Sequence, residues 1–305
     1  MQRLMTKAAA ILQLTRLDAD GEPLAWVTAP TVVVTTDTGV TLTSSAVTLT
    51  AAVASTTVTT PDRPDLITAT WTLTGSTWVT KATVVEGPYL STTEARLYES
   101  TLAAATVDVP TMLRALRGVE EEFEMITDRA MVASYSRVVT RGDGSARLAV
   151  AVEPIRAVRY ARQYPTADLT GTPVTLTTTQ LGSISFDGPT ITRTDSDIFR
   201  DGYTLVVGVE YGADQVPRDL KRVMARRVRW WLNQPKTGIP DRAQSFTAEN
   251  GATYQLSTPG AYTTGDPEVD AVYQRYSGRA GDNAIASRSL NYDAQYYSMY
   301  HRQGR

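Results

Sequence analysis

Between residues 27 and 80, threonine and valine recur in short alternating runs, and only four residues of this stretch are charged. β-Branched residues at a period of two favour strands with one buried face. Turn signals rich in Gly, Pro and Asp separate the runs, and no helical period interrupts them. The pattern predicts a small antiparallel β-sandwich over residues 1–88, with Trp26, Trp71 and Trp78 as core candidates and Gly87-Pro88 at its end.

Beyond residue 88 the period changes to that of helices. Four segments predict helices at about 92–105, 110–129, 217–234 and 267–276. The first begins with the capping-box spacing Ser91-Thr-Thr-Glu94, with Leu97 and Leu102 as inward candidates. An apolar stripe along the second consists of Leu113, Leu116, Val119, Phe123 and Ile126. These helices predict a second domain over 89–277.

Alternating segments between residues 131 and 211 predict antiparallel strands inserted among these helices. Arg141-Gly-Asp-Gly144 lies between two of them, and a hairpin turn explains its glycines better than an integrin-binding tripeptide does. Residues 278–305 are rich in Gly, Ala and Ser and predict an extended tail. The predicted fold class is therefore α+β, with a β-sandwich, a helical domain containing strand insertions, and a C-terminal tail.

Composition excludes several classes of function. The chain has no cysteine and a single histidine, His301, so disulfide scaffolds, cysteine-ligated zinc and histidine-rich metal centres are excluded. Phosphate-binding and nucleophile-elbow motifs are absent from the sequence, so we expect no cofactor, metal or catalytic residue. A net charge of −2 gives no bulk field to attract nucleic acid or a membrane. The sequence contains no apolar run long enough for a transmembrane helix. The short apolar run near its N-terminus is also too short for the core of a secretory signal.

Four glutamates, Glu120, Glu121, Glu122 and Glu124, cluster on the second predicted helix. Paired carboxylates can perform acid and base catalysis in glycosidases. However, these residues flank the apolar stripe, and Arg117 with Glu121 has the i,i+4 spacing of a helical ion pair. The spacing favours a solvated or intersubunit acidic face over a catalytic pair.

The third predicted helix is strongly basic. Its cationic residues are Arg218, Lys221, Arg222, Arg226, Arg227 and Arg229. Such a face could bind the phosphates of duplex DNA in a salt-dependent way. The same residues could instead dock an acidic neighbour or the glutamate-rich helix, with their apolar stems covering surface. Protein contact is the favoured interpretation, and a DNA channel is the alternative.

The tail mixes tyrosine with arginine, the side chains that dominate protein interfaces. The candidate partner-binding residues are Arg288, Tyr292, Tyr296, Tyr297, Tyr300 and Arg302. Because its apolar content is too low to form a core, we expect the tail to order on a partner.

Several segments between Leu90 and Ser277 resemble, in order, the head-to-tail adaptor proteins of long-tailed phages of actinobacteria. They are Thr92–Arg96, Val119–Glu124, Gly202–Gly212 before the basic helix, Gly238–Ala243 with Ser245–Thr247, Thr253-Tyr254, and Pro267–Tyr276. None of these segments is a catalytic signature. The Thr-rich N-terminal domain resembles, in its strand pattern, the immunoglobulin-like additions of phage structural proteins.

The resemblance implies a ring of adaptor subunits, normally twelve, bound beneath the portal protein at the head-tail interface of a virion assembled in the host cytoplasm. The ring would extend the DNA channel toward a stopper or tail-completion protein, and double-stranded DNA would pass without sequence recognition. Adaptor C-termini in this family reach into the portal, which implies that role for the tail. Two other classes stay open: a cell-wall or polysaccharide-degrading phage enzyme with a β-sandwich targeting module, and a DNA-binding protein that uses the basic helix.

Overall fold

The computed structural model describes residues 2–17, 20–233, 245–247, 253–255 and 263–277. The Thr- and Val-rich segment forms eight strands. They are β1 (Gln2–Met5), β2 (Ala9–Thr15), β3 (Thr31–Thr36), β4 (Thr41–Leu42), β5 (Thr48–Thr50), β6 (Val53–Thr59), β7 (Asp65–Leu73) and β8 (Ser76–Val85). Two sheets result, with strand orders β1-β8-β7-β3-β4 and β2-β6-β5. Neighbours are antiparallel except β1 and β8, which are parallel.

The core of this region lies between the two sheets. Alternate residues of β7, Ile67, Ala69 and Trp71, are buried, as a period of two requires. Trp26 is buried as well, and Trp78 is partly buried with its ring 5.5 Å from that of Trp26 in an edge-on arrangement. The predicted β-sandwich and its tryptophan core are confirmed, whereas its immunoglobulin-like classification stays a prediction.

Two helices follow in residues 88–131. The first, α1 (Thr92–Tyr98), begins with the predicted capping box, in which the Ser91 hydroxyl accepts from the backbone N–H of Glu94. A 3-10 turn at Ser100–Leu102 replaces its predicted continuation to residue 105. The second, α2 (Val109–Thr127), starts after the capping carboxylate of Asp108 and ends at Asp128. Most of the predicted stripe of α2 is buried, but Leu113 is exposed.

Residues 132–213 return to strands, with one short helix. They are β9 (Ser134–Arg141), β10 (Arg147–Ala149), β11 (Ile155–Tyr164), β12 (Val174–Thr175), α3 (Thr178–Gly182), β13 (Ile184–Asp187), β14 (Thr190–Arg193) and β15 (Thr204–Tyr211). The sheets have the orders β12-β11-β15-β9 and β10-β14-β13. Because β9 and β10 belong to different sheets, the predicted hairpin at Arg141-Gly-Asp-Gly144 is wrong. The segment instead connects two sheets, and a Cβ at Gly142 would collide with the Arg200 carbonyl.

The remaining elements are α4 (Arg218–Asn233), the two-stranded pair β16 (Ser245–Thr247) and β17 (Thr253–Gln255), and α5 (Pro267–Tyr276). The predicted helices at 217–234 and 267–276 agree with α4 and α5 to within one residue. Together with the antiparallel sheets, these helices confirm the α+β fold class.

The described residues fall into two compact units whose segments alternate along the chain. The strand unit comprises 2–87 with 132–213, and the helical unit comprises 88–131 with the described part of 214–277. This grouping differs from the predicted domains 1–88 and 89–277. One reason is a long-range polar contact in the strand unit, where the Asp37 carboxylate accepts hydrogen bonds from the hydroxyls of Tyr135 and Tyr160. Independent folding of residues 1–88 stays a prediction.

Candidate interaction surface

The basic residues of α4 are mostly neutralised within the helical unit. The ion pairs are Lys221 with Glu94 (2.6 Å), Arg222 with Glu268 (2.9 Å), Arg226 with Asp266 (2.9 Å) and with Glu268, Arg227 with Glu122 (2.7 Å), and Arg229 with Glu99 (3.2 Å). Arg218 is exposed and forms no ion pair with another described residue. Docking on acidic neighbours in the same chain, one of the two predicted interpretations, therefore accounts for five of the six. A lumen-facing or intersubunit role stays a prediction.

The most buried of these pairs joins α2 to α4. Arg227 is 4% exposed, and its guanidinium donates to both Glu122 oxygens, at 2.8 and 2.7 Å. The same guanidinium lies 4.0 Å from the centre of the Trp230 ring. Bidentate geometry of this kind is the strong form of a charged hydrogen bond. The pair therefore fixes the register of α4 on α2.

The acidic residues of α2 do not share one face. Glu120 is 3% exposed and accepts from the Tyr89 backbone N–H at 2.7 Å, so its predicted place on a solvated face is wrong. Glu124 accepts from the Tyr89 hydroxyl, and that hydroxyl accepts from the Met131 N–H at 2.8 Å. Of the four glutamates only Glu121 is exposed. Since Glu121 and Glu122 point to different sides of the helix, they do not form a catalytic pair across a cleft.

Tyr89 is the central residue of this polar network, and sequence reasoning did not single it out. Its backbone and hydroxyl contact Glu120, Glu124 and Met131, while its ring packs edge-on against Phe123 at 5.9 Å between centroids. A buried tyrosine requires a partner for its hydroxyl, and the glutamate cluster at residues 120–124 offers one. That signal alone does not identify which tyrosine is used.

Two connected grooves run along the exposed side of α4, and we name them together the α1/α4 groove. The larger, of about 810 Å³, is lined by Glu94, Leu97, Tyr98, Gln215, Val216, Arg218, Asp219, Lys221 and Arg222. The smaller, of about 320 Å³, is lined by Tyr98, Glu99, Arg222, Val223, Arg226, Arg229 and Glu268. Tyr98 and Arg222 line both. The hydrogen bond from Lys221 lowers the pKa of Glu94, which keeps this carboxylate ionised in its pair with Lys221.

Large apolar side chains are exposed in the helical unit. They are Leu97, Tyr98, Val109, Leu113, Met125, Trp230 and Trp231. Leu97 is 81% exposed, so its predicted inward orientation is wrong, whereas Leu102 is buried as expected. The reason is the early end of α1, which leaves Leu97 in its last turn. Leu97 and Tyr98 lie together in the α1/α4 groove, and contiguous exposed apolar groups are typical of protein-binding surfaces.

The remaining observations concern metal binding, membrane crossing and the tail. No group of three or more His, Asp or Glu residues within it is arranged to hold a metal ion. Among the described helices, none is both long and apolar enough to cross a membrane. The predicted portal-binding residues, Arg288, Tyr292, Tyr296, Tyr297, Tyr300 and Arg302, lie outside the described residues.

No protein-family model and no curated protein sequence matches the chain. Solved structures with a partial likeness include the neck of an empty gene transfer agent particle, computed with C6 symmetry (13% identity, TM-score 0.41, covering 63% of this chain and 92% of that chain). A second is the neck of the native particle, computed with C12 symmetry (16%, 0.38, 64% and 94%). A third is the virion of the native gene transfer agent particle (15%, 0.37, 62% and 89%). Likeness at these identities and TM-scores does not establish a shared function.

Proposed function

We propose that this protein is a structural, non-catalytic adaptor subunit of a virion, which forms a homo-oligomeric ring under the portal and continues the DNA channel to the stopper and tail. The observation that carries the proposal is the assembly of the adaptor-like segments. Residues 92–96, 119–124 and 267–276 are far apart in the sequence, yet they lie in the single helical unit that also contains the basic helix α4. The gene transfer agent structures are neck and virion assemblies by their titles, which agrees with this proposal but does not carry it.

The surface of the helical unit fits a subunit whose neighbours are proteins. A ring requires two different, complementary patches on each copy, and closure sets the copy number. The helical unit exposes seven large apolar side chains, of which Leu97 and Tyr98 line the charged α1/α4 groove. Since most cations of α4 already have carboxylate partners, DNA would pass through the ring without being held by this helix.

The direct test is the mass of the full chain, purified alone and mixed with the portal ring of the same virion. We expect a cyclic oligomer, alone or on the portal, of about twelve copies as the resemblance implies. A chain that stays monomeric and binds neither portal nor stopper would overturn the proposal. Duplex binding by the isolated chain that falls steeply with salt would favour the DNA-binding alternative instead.

The enzyme alternative has its own test. The wild-type chain should hydrolyse neither peptidoglycan nor polysaccharide, so Glu121→Gln and Glu122→Gln have no activity to remove. Turnover that is present in the wild type and lost in these variants would overturn the non-catalytic role. The acidic residues then would belong to an active site despite the Arg227 contact to Glu122.

The tail, residues 278–305, is proposed to bind the portal. Deleting the residues after Arg279 should leave the thermal midpoint nearly unchanged and abolish attachment to DNA-filled heads. Attachment of the truncated chain at wild-type levels would show that the tail has no such role. That result would leave the proposed ring intact.

A further inference from the structure

Helix α5 ends beside the α1/α4 groove. The hydroxyl of Tyr276 donates to one oxygen of the Asp219 carboxylate at 2.7 Å, and the Arg275 guanidinium lies 3.3 Å from the other oxygen. Asp219 belongs to the first turn of α4 and lines the larger part of the groove. Ser277 follows α5 with extended backbone angles. The chain therefore leaves α5 at the end of the groove that contains the start of α4.

The larger part of the groove contains one cation without an ion-pair partner among the described residues. That cation is Arg218, which is exposed and precedes Asp219 in the sequence. The other charged residues that line this part are paired: Glu94 with Lys221, Asp219 with Arg275, and Arg222 with Glu268. An occupant with one carboxylate would therefore complete the charge pairing of the groove.

Helix α1 supplies an apolar wall, which we define as Leu97 and Tyr98. Their exposed fractions are 81% and 41%, and both side chains line the groove. Covering them removes apolar area from water, which favours an occupant that brings an apolar side chain of its own. The groove thus requires a carboxylate and an apolar group close together on one occupant.

The chain that continues from Ser277 carries both groups. Residues 278–290 contain one carboxylate, Asp282, and two large aliphatic side chains, Ile285 and Leu290. Only two residues separate Asp282 from Ile285. The sequence that begins at the end of the groove therefore has the composition that the groove lacks.

This segment is long enough to reach the groove. At roughly 3.4 Å per residue, the chain from Ser277 spans up to about 17 Å to Asp282 and about 27 Å to Ile285. Asp219 lines the groove and also contacts Tyr276 directly, so the groove begins within one side chain of the end of α5. A segment tethered there competes for the groove at a high effective concentration, which selects it over a separate molecule.

We propose that residues 278–290 occupy the α1/α4 groove of their own subunit. Asp282 faces Arg218 there, and Ile285 packs on the apolar wall. Since the contact consists of one exposed ion pair and one aliphatic side chain, it adds little to the free energy of unfolding. For the adaptor, the portal-binding residues from Tyr292 onward then start from the groove. This consequence rests on the proposed function, whereas the docking itself does not.

Cysteine cross-linking of the full chain tests where the segment lies, since the chain has no cysteine of its own. Leu97→Cys with Ala286→Cys should give an intrachain product with a short thiol-to-thiol cross-linker, and Tyr98→Cys with Ala286→Cys should do the same. The control pair is Gln274→Cys with Ala286→Cys. Gln274 is exposed and closer to residue 286 along the chain, but it does not line the groove. We expect both groove pairs to react at least roughly fivefold faster than the control.

Two results of this experiment would overturn the proposal. Equal or faster reaction of the control pair would show that the tether alone brings the cysteines together. A product with the mass of two chains under denaturing conditions, also formed in a mixture of the two single variants, would show that the segment occupies the groove of another copy.

Charge reversal in the chain with Leu97→Cys and Ala286→Cys tests the ionic contact. Arg218→Glu and Asp282→Arg should each slow the intrachain reaction by about three- to tenfold, and the two together should recover most of the rate. Asp293→Arg is the matched control, because Asp293 is the other aspartate of residues 278–305 and follows the proposed segment. An equal effect of this control, or no recovery in the combined variant, would overturn the pairing of Asp282 with Arg218.

The docking and the adaptor function fail separately, because cross-linking of the isolated chain requires neither a portal nor a ring. If native mass shows a ring but the groove pairs react no faster than the control, the docking is wrong and the adaptor function stands. If the groove pairs react as expected but the chain stays monomeric and binds neither portal nor stopper, the docking stands and the adaptor function is wrong.

Discussion

Two carboxylates, Asp65 in the strand unit and Glu122 in the helical unit, are held by different kinds of donor. In the strand unit, Asp65 is 7% exposed and accepts from the N–H groups of Leu66 (2.7 Å) and Asp37 (3.2 Å). Its donors are neutral, and burial raises its pKa to about 6. In the helical unit, Glu122 is held by the guanidinium of Arg227 through two charged hydrogen bonds.

The comparison shows that the charge of the hydrogen-bond donor determines how a buried carboxylate affects the stability of the fold. A carboxylate buried among neutral donors makes stability depend on pH, because the folded state resists its ionisation. A carboxylate buried against a guanidinium makes stability depend on the partner, because loss of either side leaves a charge without compensation. Stability should therefore respond to protons through Asp65 and to removal of a cation through Glu122.

The largest expected effect is in the helical unit. Arg227→Met leaves Glu122 largely buried without its cation and should lower the free energy of unfolding by about 3–5 kcal/mol. Urea denaturation followed by the helical circular dichroism signal measures it. Arg227→Met combined with Glu122→Leu should recover most of the loss, since no buried charge then remains. A cost of the single variant below about 1 kcal/mol would show that the pair does not hold α4.

The next effect tests the close packing of Gly208 against Tyr135 and Tyr160, the two tyrosines that donate to Asp37 in the strand unit. A Cβ at Gly208 would lie 2.6 Å from the Tyr160 ring and would also collide with the Tyr135 hydroxyl. Because both tyrosines donate to Asp37, neither can move freely, and Gly208→Ala should cost about 2–3 kcal/mol. Gly182→Ala is the matched control, because its Cβ would meet no atom within 4 Å. Similar melting temperatures for the two variants would contradict this account.

The pH effect comes from Asp65. Its folded pKa of about 6 is higher than the ordinary 3.8, so the folded state binds more protons between these values. Its contribution to stability is full below 3.8 and is lost as the pH rises through about 6. Burial is the main cause; the charge of Asp37 raises the pKa further, while the backbone N–H groups and Arg159 lower it.

Asp65→Asn keeps an acceptor oxygen for both N–H groups and removes the ionisation. It should stabilise the protein above pH 6 by on the order of 2 kcal/mol and should flatten the fall in stability between about pH 4 and pH 6. Thermal unfolding across this range measures the change. Asp62→Asn, at an exposed carboxylate nearby, should leave the profile unchanged. An unaltered profile in Asp65→Asn would remove the proposed difference between Asp65 and Glu122.

The smallest effect is on the same helix as the largest. The Arg222 and Glu268 side chains are 71% and 43% exposed, so solvent and salt screen their ion pair. Arg222→Gln should therefore change the free energy of unfolding by less than about 1 kcal/mol. The measurement is the urea denaturation used for Arg227→Met. A loss as large as that of Arg227→Met would show that exposure does not distinguish the two pairs.

Local features of the fold could be predicted from the sequence. Three predicted features agree with the structure: the strand alternation in β7, the capping box at Ser91, and the bounds of α4 and α5. Each depends only on residues that are close to one another in the sequence. The short strands β12, β13 and β14 were not predicted. Such brief segments carry too little period to be recognised, and pairing with neighbours stabilises them.

Only the tertiary structure decided which charges meet and which strands share a unit. Glu122 and Arg227 are 105 residues apart, and Asp37 and Tyr160 are 123 apart, so no local period relates them. Sequence alone determined that α2 would be acidic and α4 basic. It left open whether they would meet each other, DNA or another subunit, because that choice depends on packing of the whole helical unit. In the folded chain Glu122 forms an ion pair with Arg227 inside the helical unit, whereas Glu121 and Arg218 are exposed.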